Sequence, residues 1–182
     1  MQLSRKFSII NPLKEPAMHK KLSVVTIATL IMVIVMRWQG DKLKSSVSPG
    51  AIINLEFAKT PQRLNELMMN WDISMVKINI WLDFLFIVCY TLFLSIAATA
   101  TALKWPEGLM RQFGLTFARV AFAAGVLDIS ENLLMFQSIA GNFTNASLQL
   151  TYYCAAIKFT LAAIIFLYLL LSLPMVIRKT KS

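Results

Sequence analysis

Histidine is nearly absent from this chain: His19 stands alone among 182 residues, in a basic N-terminal stretch. That argues against histidine-ligated metal centres and histidine acid–base chemistry. Cysteine is almost as scarce. Cys89 and Cys154 both fall inside apolar runs, and helical rise separates their depths by about 10 Å. They read as small buried residues and not as a disulfide. Charge is thin too, at 15% of residues, where a soluble domain carries about a quarter. No nucleophile motif, phosphate-binding loop or nucleic-acid-reading module is visible. Nucleic acid is therefore the weaker account of the net charge of +9.

What the chain does have is apolar length. It is 57% hydrophobic with a mean hydropathy of +0.63, and it divides into four runs at about 22–38, 77–103, 113–141 and 149–177. The expected fold is all-α: one integral membrane domain over 1–182, a bundle of four transmembrane helices. The first run has a basic flank like a signal peptide but no small-x-small cleavage site, so it reads as an uncleaved signal anchor. The short turns after the second and third runs force antiparallel neighbours. Arg5, Lys6, Lys14, Lys20 and Lys21 precede the first run, and Arg178, Lys179 and Lys181 follow the last. The loop after the third run has no Lys or Arg, so both termini are expected in the cytoplasm of a cell with the chain in its inner or plasma membrane. Lys42, Lys44, Lys59 and Arg63 in the first loop weigh against that orientation.

The first loop, about 39–76, is the only sizeable extramembrane piece. Thr60-Pro61 fits an N-cap with proline at N1. Leu64, Leu67, Met68 and Trp71 then repeat at helical spacing, predicting a short amphipathic helix in the membrane interface. Upstream, Glu56 shares a helical face with Ile52 and can point into the bundle, but Ile53 and Phe57 define a competing apolar face that would leave it solvated. Asn142-Phe143-Thr144 and Asn145-Ala146-Ser147 match glycosylation sequons, although these are also ordinary turn residues.

Polar residues interrupt the apolar runs where hydrocarbon is expected. Asp128, Glu131 and Asn132 are spaced i, i+3, i+4 and share one helical face. An ionisable group near the bilayer centre costs about 2.5–3.5 kcal/mol on insertion scales. Counted inward from the external ends, Asp83 lies about 9 Å deep, Asn132, Lys158 and Glu131 about 14–15 Å, and Tyr90 and Asp128 about 20 Å. Glu131 and Lys158 are thus level, and an interhelical ion pair between them is expected. Asn79, Asp83 and Tyr90 fall on one face of the second run. Ala121, Gly125, Asp128 and Asn132 do so on the third, and Thr151, Ala155, Lys158 and Ala162 on the fourth. Small residues let helices approach closely in lipid, so these polar faces should line the bundle interior. Arg119 lies half a turn away and should snorkel.

Asp83, Asp128 and Glu131 against Lys158 leave two formal negatives in excess, which an apolar pocket does not hold unneutralised. Protons, a cation or a cationic ligand would restore the balance. An oxygen-only site suits a hard cation such as Mg²⁺ or Ca²⁺, although no fixed ligand spacing is met. The expected function is an outward-opening acidic pocket that binds a small ligand, cation or protons, with Asp83, Asp128, Glu131, Asn132, Lys158, Glu56 and Tyr90 as its residues. One alternative is a membrane-embedded enzyme using carboxylate acid–base chemistry on a lipid or isoprenoid. Another is an accessory subunit whose acids bond a partner's helices, in a homo-oligomer or a larger membrane complex. Intramembrane polar groups also serve as plain interhelical glue, and for Asn79 and Tyr90 taken singly that is the better reading.

Ile53-Asn54-Leu55-Glu56-Phe57-Ala58, Trp81-Leu82-Asp83-Phe84 with Tyr90, and Ala124 through Asn132 together carry a resemblance. The chain resembles a group of small bacterial membrane proteins of unassigned activity, with a Leu-Glu-Phe-Ala segment after the first span and Leu-Asp-x-x-Glu-Asn in the third. The resemblance covers spans one to four on short motifs. It implies a four-helix architecture, and it groups Glu56, Asp83, Asp128, Glu131 and Asn132. Lys158 falls outside its pattern, so the ion pair rests on depth alone.

Overall fold

Asp72 marks where the second long helix starts: its carboxylate accepts from the Ser74 backbone N–H at 2.8 Å, a capping bond that satisfies one orphan donor. In the computed structural model, residues 15–180 are described, with side chains from 18 to 176. The helices in order are α1 Glu15–Asp41, α2 Ile53–Glu56, α3 Pro61–Asn70, α4 Ile73–Lys104, α5 Leu109–Ile139 and α6 Asn145–Thr180. No strand occurs among the described residues. Four of the helices, α1, α4, α5 and α6, are long and apolar enough to cross a membrane. Arg5, Lys6, Lys14 and Lys181 lie outside the described residues, as do the side chains of Arg178 and Lys179.

Each long helix starts before the apolar run that predicts it, and all but α5 also run past its end, because hydropathy alone does not set helix ends. The N-terminus of α4 is fixed by Asp72, ahead of the 77–103 run. α6 begins at Asn145 because Thr144 and Ser147 bond reciprocally, Thr144 N–H to Ser147 Oγ at 2.8 Å and Ser147 N–H to Thr144 Oγ1 at 3.1 Å. This resembles a capping box and gives the sequon residues a structural use. α1 continues past Trp38 because Gln39 is buried and its amide donates to Met75 O at 3.0 Å. That bond ties the end of α1 to the start of α4. α5 starts four residues before the predicted run, directly after Gly108, and stops at Ile139, two residues short of its predicted end.

α4 is the centre of the bundle. It packs against α5, α1 and α6, and α5 packs against α6. Small residues allow the closest approaches, as expected where lipid replaces the hydrophobic driving force. A Cβ on Gly125 would lie 2.6 Å from Thr91 Oγ1, and one on Gly114 would collide with the Tyr168 hydroxyl and sit 2.6 Å from Ala102 Cβ.

The loop between α1 and α4 folds as a cap on one end of the bundle. Thr60 caps α3, accepting from Arg63 N at 3.3 Å, with Pro61 at the first helical position. The apolar face of α3 does not lie against the membrane interface. Leu64, Leu67 and Trp71 are buried in a protein cluster with Leu43, Leu55, Ile80 and Met135. The Trp71 indole N–H donates to Leu43 O at 2.7 Å and to Ser48 Oγ at 2.9 Å, pinning the strand-less loop to α3. A tertiary partner thus takes the face that spacing alone assigned to the interface.

Candidate functional site: a carboxylate cluster around Lys158

Lys158 projects from α6 toward α5 and is buried, with 6% of its surface exposed. Its Nζ lies 2.5 Å from Asp128 Oδ1, 3.0 Å from Glu131 Oε2 and 3.7 Å from Glu56 Oε2. Asp128 and Glu131 are three residues apart on α5, so one helical face presents both to a single ammonium. The level Glu131–Lys158 pair is present, and Asp128 makes the shorter contact. Glu56 arrives from the capping loop, where the turn α2 points it inward and leaves Ile53 and Phe57 partly exposed.

α4 supplies the second polar layer. The Tyr90 hydroxyl donates to Asp128 Oδ2 at 2.8 Å, and the Asn132 amide donates to Asp83 Oδ2 at 2.7 Å. Asp128 therefore accepts from Lys158 on one oxygen and from Tyr90 on the other. Asp83, half-buried, is held by Asn132, which is itself fully buried. Antiparallel packing of α4 on α5 sets both bonds: the more deeply placed residue of each helix meets the more deeply placed residue of the other. Asn79 stays apart; it is fully buried, and neither of its side-chain amide atoms has a partner.

Four carboxyls therefore surround or adjoin one lysine. With Glu56 added, the formal imbalance rises from two negatives to three. Glu56 lies in the capping loop outside the spanning helices, and burial pushes its carboxyl above the ordinary carboxylate range. Asp128 adds to this push, and the Lys158 ammonium opposes it. One Glu56 oxygen, Oε2, is buried without a hydrogen-bond partner.

A cavity of about 730 Å³ opens over this cluster, within the range of sites for small organic ligands. Glu56, Asp83, Asp128, Lys158 and Tyr90 line it, whereas Glu131 and Asn132 stand behind them. Its walls come from three helices in a common pattern, each giving a pair seven residues apart: Thr29 and Met36 on α1, Phe86 and Phe93 on α4, Phe159 and Phe166 on α6. Such pairs fall on one helical face. At the capping-loop end the lining is Arg37, Gly40, Asp41 and Lys44, with 50–53 and Glu56 of the loop. Lys44 is paired with Asp41 at 2.6 Å.

Sequence reasoning missed the walls and the mouth. Four phenylalanines, Phe86, Phe93, Phe159 and Phe166, bound the cavity, and none of them is among the residues expected there. The seven-residue spacing was the available signal, but a lipid-facing pair shows the same spacing. The hard-cation expectation meets a different geometry. Among the described residues, no group of three or more acidic, histidine or cysteine side chains is arranged to hold a metal ion. The Lys158 ammonium occupies the point on which Glu56, Asp128 and Glu131 converge. Cys89 and Cys154 are both free thiols, and Arg119 is exposed.

Comparison of the chain with protein-family models, with curated proteins and with solved structures gives no match.

Proposed function

We propose that this chain is a multi-pass protein of a bacterial cell membrane, both termini cytoplasmic, that binds a small molecule in an intramembrane acidic pocket. The observation that carries the reading is the position of the cluster. Glu56 and Asp128 share Lys158 at the wall of a cavity of about 730 Å³ that Asp83, held by Asn132, also lines. Polar groups used only as interhelical glue bond across a dry interface and have no need to face open space. Charge imbalance supports the same reading, since a surplus of carboxyls in low dielectric calls for a neutralising occupant.

Asp128 also favours a second reading. Flanked by the Tyr90 hydroxyl and the Lys158 ammonium, it belongs to a chain of groups able to hold and pass a proton. That is the constellation of an acid–base enzyme acting on a membrane lipid. A precursor lipid accumulating in a deletion strain would select this reading over simple binding.

Native mass spectrometry of the full chain, released directly from its own membrane, tests the proposal. A bound mass is expected on the wild type. It should be lost in Ala163→Trp, which fills the cavity from an exposed position of α6 off the helical face that carries Lys158. A folded wild-type chain carrying no bound mass, with a melting temperature that a total lipid extract does not raise, would overturn it.

A further inference from the structure

The cavity is a groove with direction. α1 and α6 each pack extensively on α4 but have no comparable packing on one another, so the cavity between them has a side facing the surrounding membrane. Its lining runs along α1 from Asp41 to Thr29 and along α4 from Asp83 to Leu94, or about 16–18 Å of helix in each case. Polarity falls along that length. Arg37, Asp41 and Lys44 stand at the capping-loop end; Glu56, Asp83, Asp128 and Lys158 come next. Beyond Tyr90 the lining is Phe93, Leu94, Ala162, Ala163 and Phe166, with Thr29 on α1. The Thr29 hydroxyl is already spent on Val25 O at 2.7 Å. A lipid in the leaflet on the capping-loop side has the same polarity profile, with its head near the surface and its tail toward the midplane.

The chemistry of the head follows from charge. Glu131 stands behind Lys158 and out of the groove, so the ammonium is already engaged before the lining carboxyls are counted. Glu56, Asp83 and Asp128 all face the groove, and Glu56 Oε2 is a buried acceptor without a hydrogen bond, the Lys158 ammonium standing 3.7 Å away. Lys44 at the mouth is spent on Asp41. The unmet demand inside is for positive charge and for N–H donors, and the phenylalanines beside it offer ring faces that attract a cation.

We propose that the groove between α1 and α6 takes a single-chain amphipathic amine sideways from the bilayer. Its ammonium sits among Glu56, Asp83 and Asp128, and its apolar chain lies between the α4 and α6 phenylalanines. This rests on the acidic pocket being a ligand site and specifies the ligand's class and route of entry.

The test uses the full chain in lipid nanodiscs with a dodecylamine that carries a diazirine on its tail. After illumination the label is mapped by mass spectrometry. Labelling at Phe93, Phe159 or Phe166 is expected, with at least tenfold suppression by excess unlabelled dodecylamine. Dodecanol and dodecyl phosphate should suppress it far less. Glu56→Gln combined with Asp83→Asn should erase the preference for amine over alcohol while leaving the tail position labelled; this variant removes surplus charge and keeps the Lys158–Asp128 pair, and the retained tail labelling reports that it is folded. Equal suppression by dodecanol overturns the cationic head, and stronger suppression by dodecyl phosphate overturns it in favour of an anionic lipid at Arg37. Protection of Glu56 and Asp128 from carbodiimide by N,N-dimethylbutylamine, a tertiary amine that forms no stable amide, with no groove labelling by the long amine, overturns the lipid groove yet leaves the acidic pocket standing as a ligand site. No protection and no labelling by any of these probes overturns both.

Discussion

Glu56 is the residue at which the electrostatic balance of the site can be read from outside. Burial holds its carboxyl above the ordinary range, so the folded protein keeps a proton there at pH values where the unfolded chain has released it. Stability contributed through Glu56 therefore falls as pH rises above the ordinary carboxylate value of about 4.3. The neutral isostere removes this loss. Glu56→Gln is expected to melt a few degrees higher than wild type at pH 8, with the difference vanishing toward pH 4. Thermal denaturation in detergent across that range checks it; a lower melting temperature at pH 8 would mean that Lys158 depends on the Glu56 charge. Lys158 itself has the opposite character. Removing a buried partner from such a cluster strands the remaining charges, which in soluble proteins costs about 3–5 kcal/mol.

The polar faces of the helices were legible because a carboxylate in an apolar run is conspicuous and helical spacing then assigns it a side. Asp83, Tyr90, Asp128, Asn132 and Lys158 all meet as that reading requires. Glu56 was not settled, because a short loop helix has two defensible faces until its tertiary partner is known. The α3 face was misassigned to the membrane interface for the same reason: Leu64 and Leu67 carry no mark distinguishing a protein neighbour from a lipid one. The close packing of α4 on α5 can be tested at this scale. Gly125→Ala places a Cβ 2.6 Å from Thr91 Oγ1, and overpacking of this kind typically costs about 1–3 kcal/mol. The variant is expected to melt lower, and Thr91→Ala in the same chain should restore most of the loss. Absence of rescue in that double-mutant cycle would place the strain elsewhere.

For the whole molecule, the proposed orientation decides which leaflet the groove faces. Basic flanks at both ends of the chain and a loop free of Lys and Arg at 140–144 favour cytoplasmic termini. Asn142 and Ser46 are exposed at the capping-loop end and can report it. In a chain whose Cys89 and Cys154 are replaced by alanine, Asn142→Cys and Ser46→Cys should each react with an impermeant maleimide added to intact cells. Reaction only after the membrane is opened would reverse the topology and place the groove in the inner leaflet.

The burial of Lys158 between Asp128 and Glu131 also bears on how the chain enters the membrane. Neither α5 nor α6 is a comfortable passenger alone: one carries two acids in mid-span, the other a lysine. The connection between them spans only residues 140–144, and the three charges meet across it. The two helices are therefore suited to leave the insertion machinery together, as a hairpin with its charges already matched. Lengthening that connection should then lower the yield of inserted protein more than it lowers the stability of molecules that have already folded.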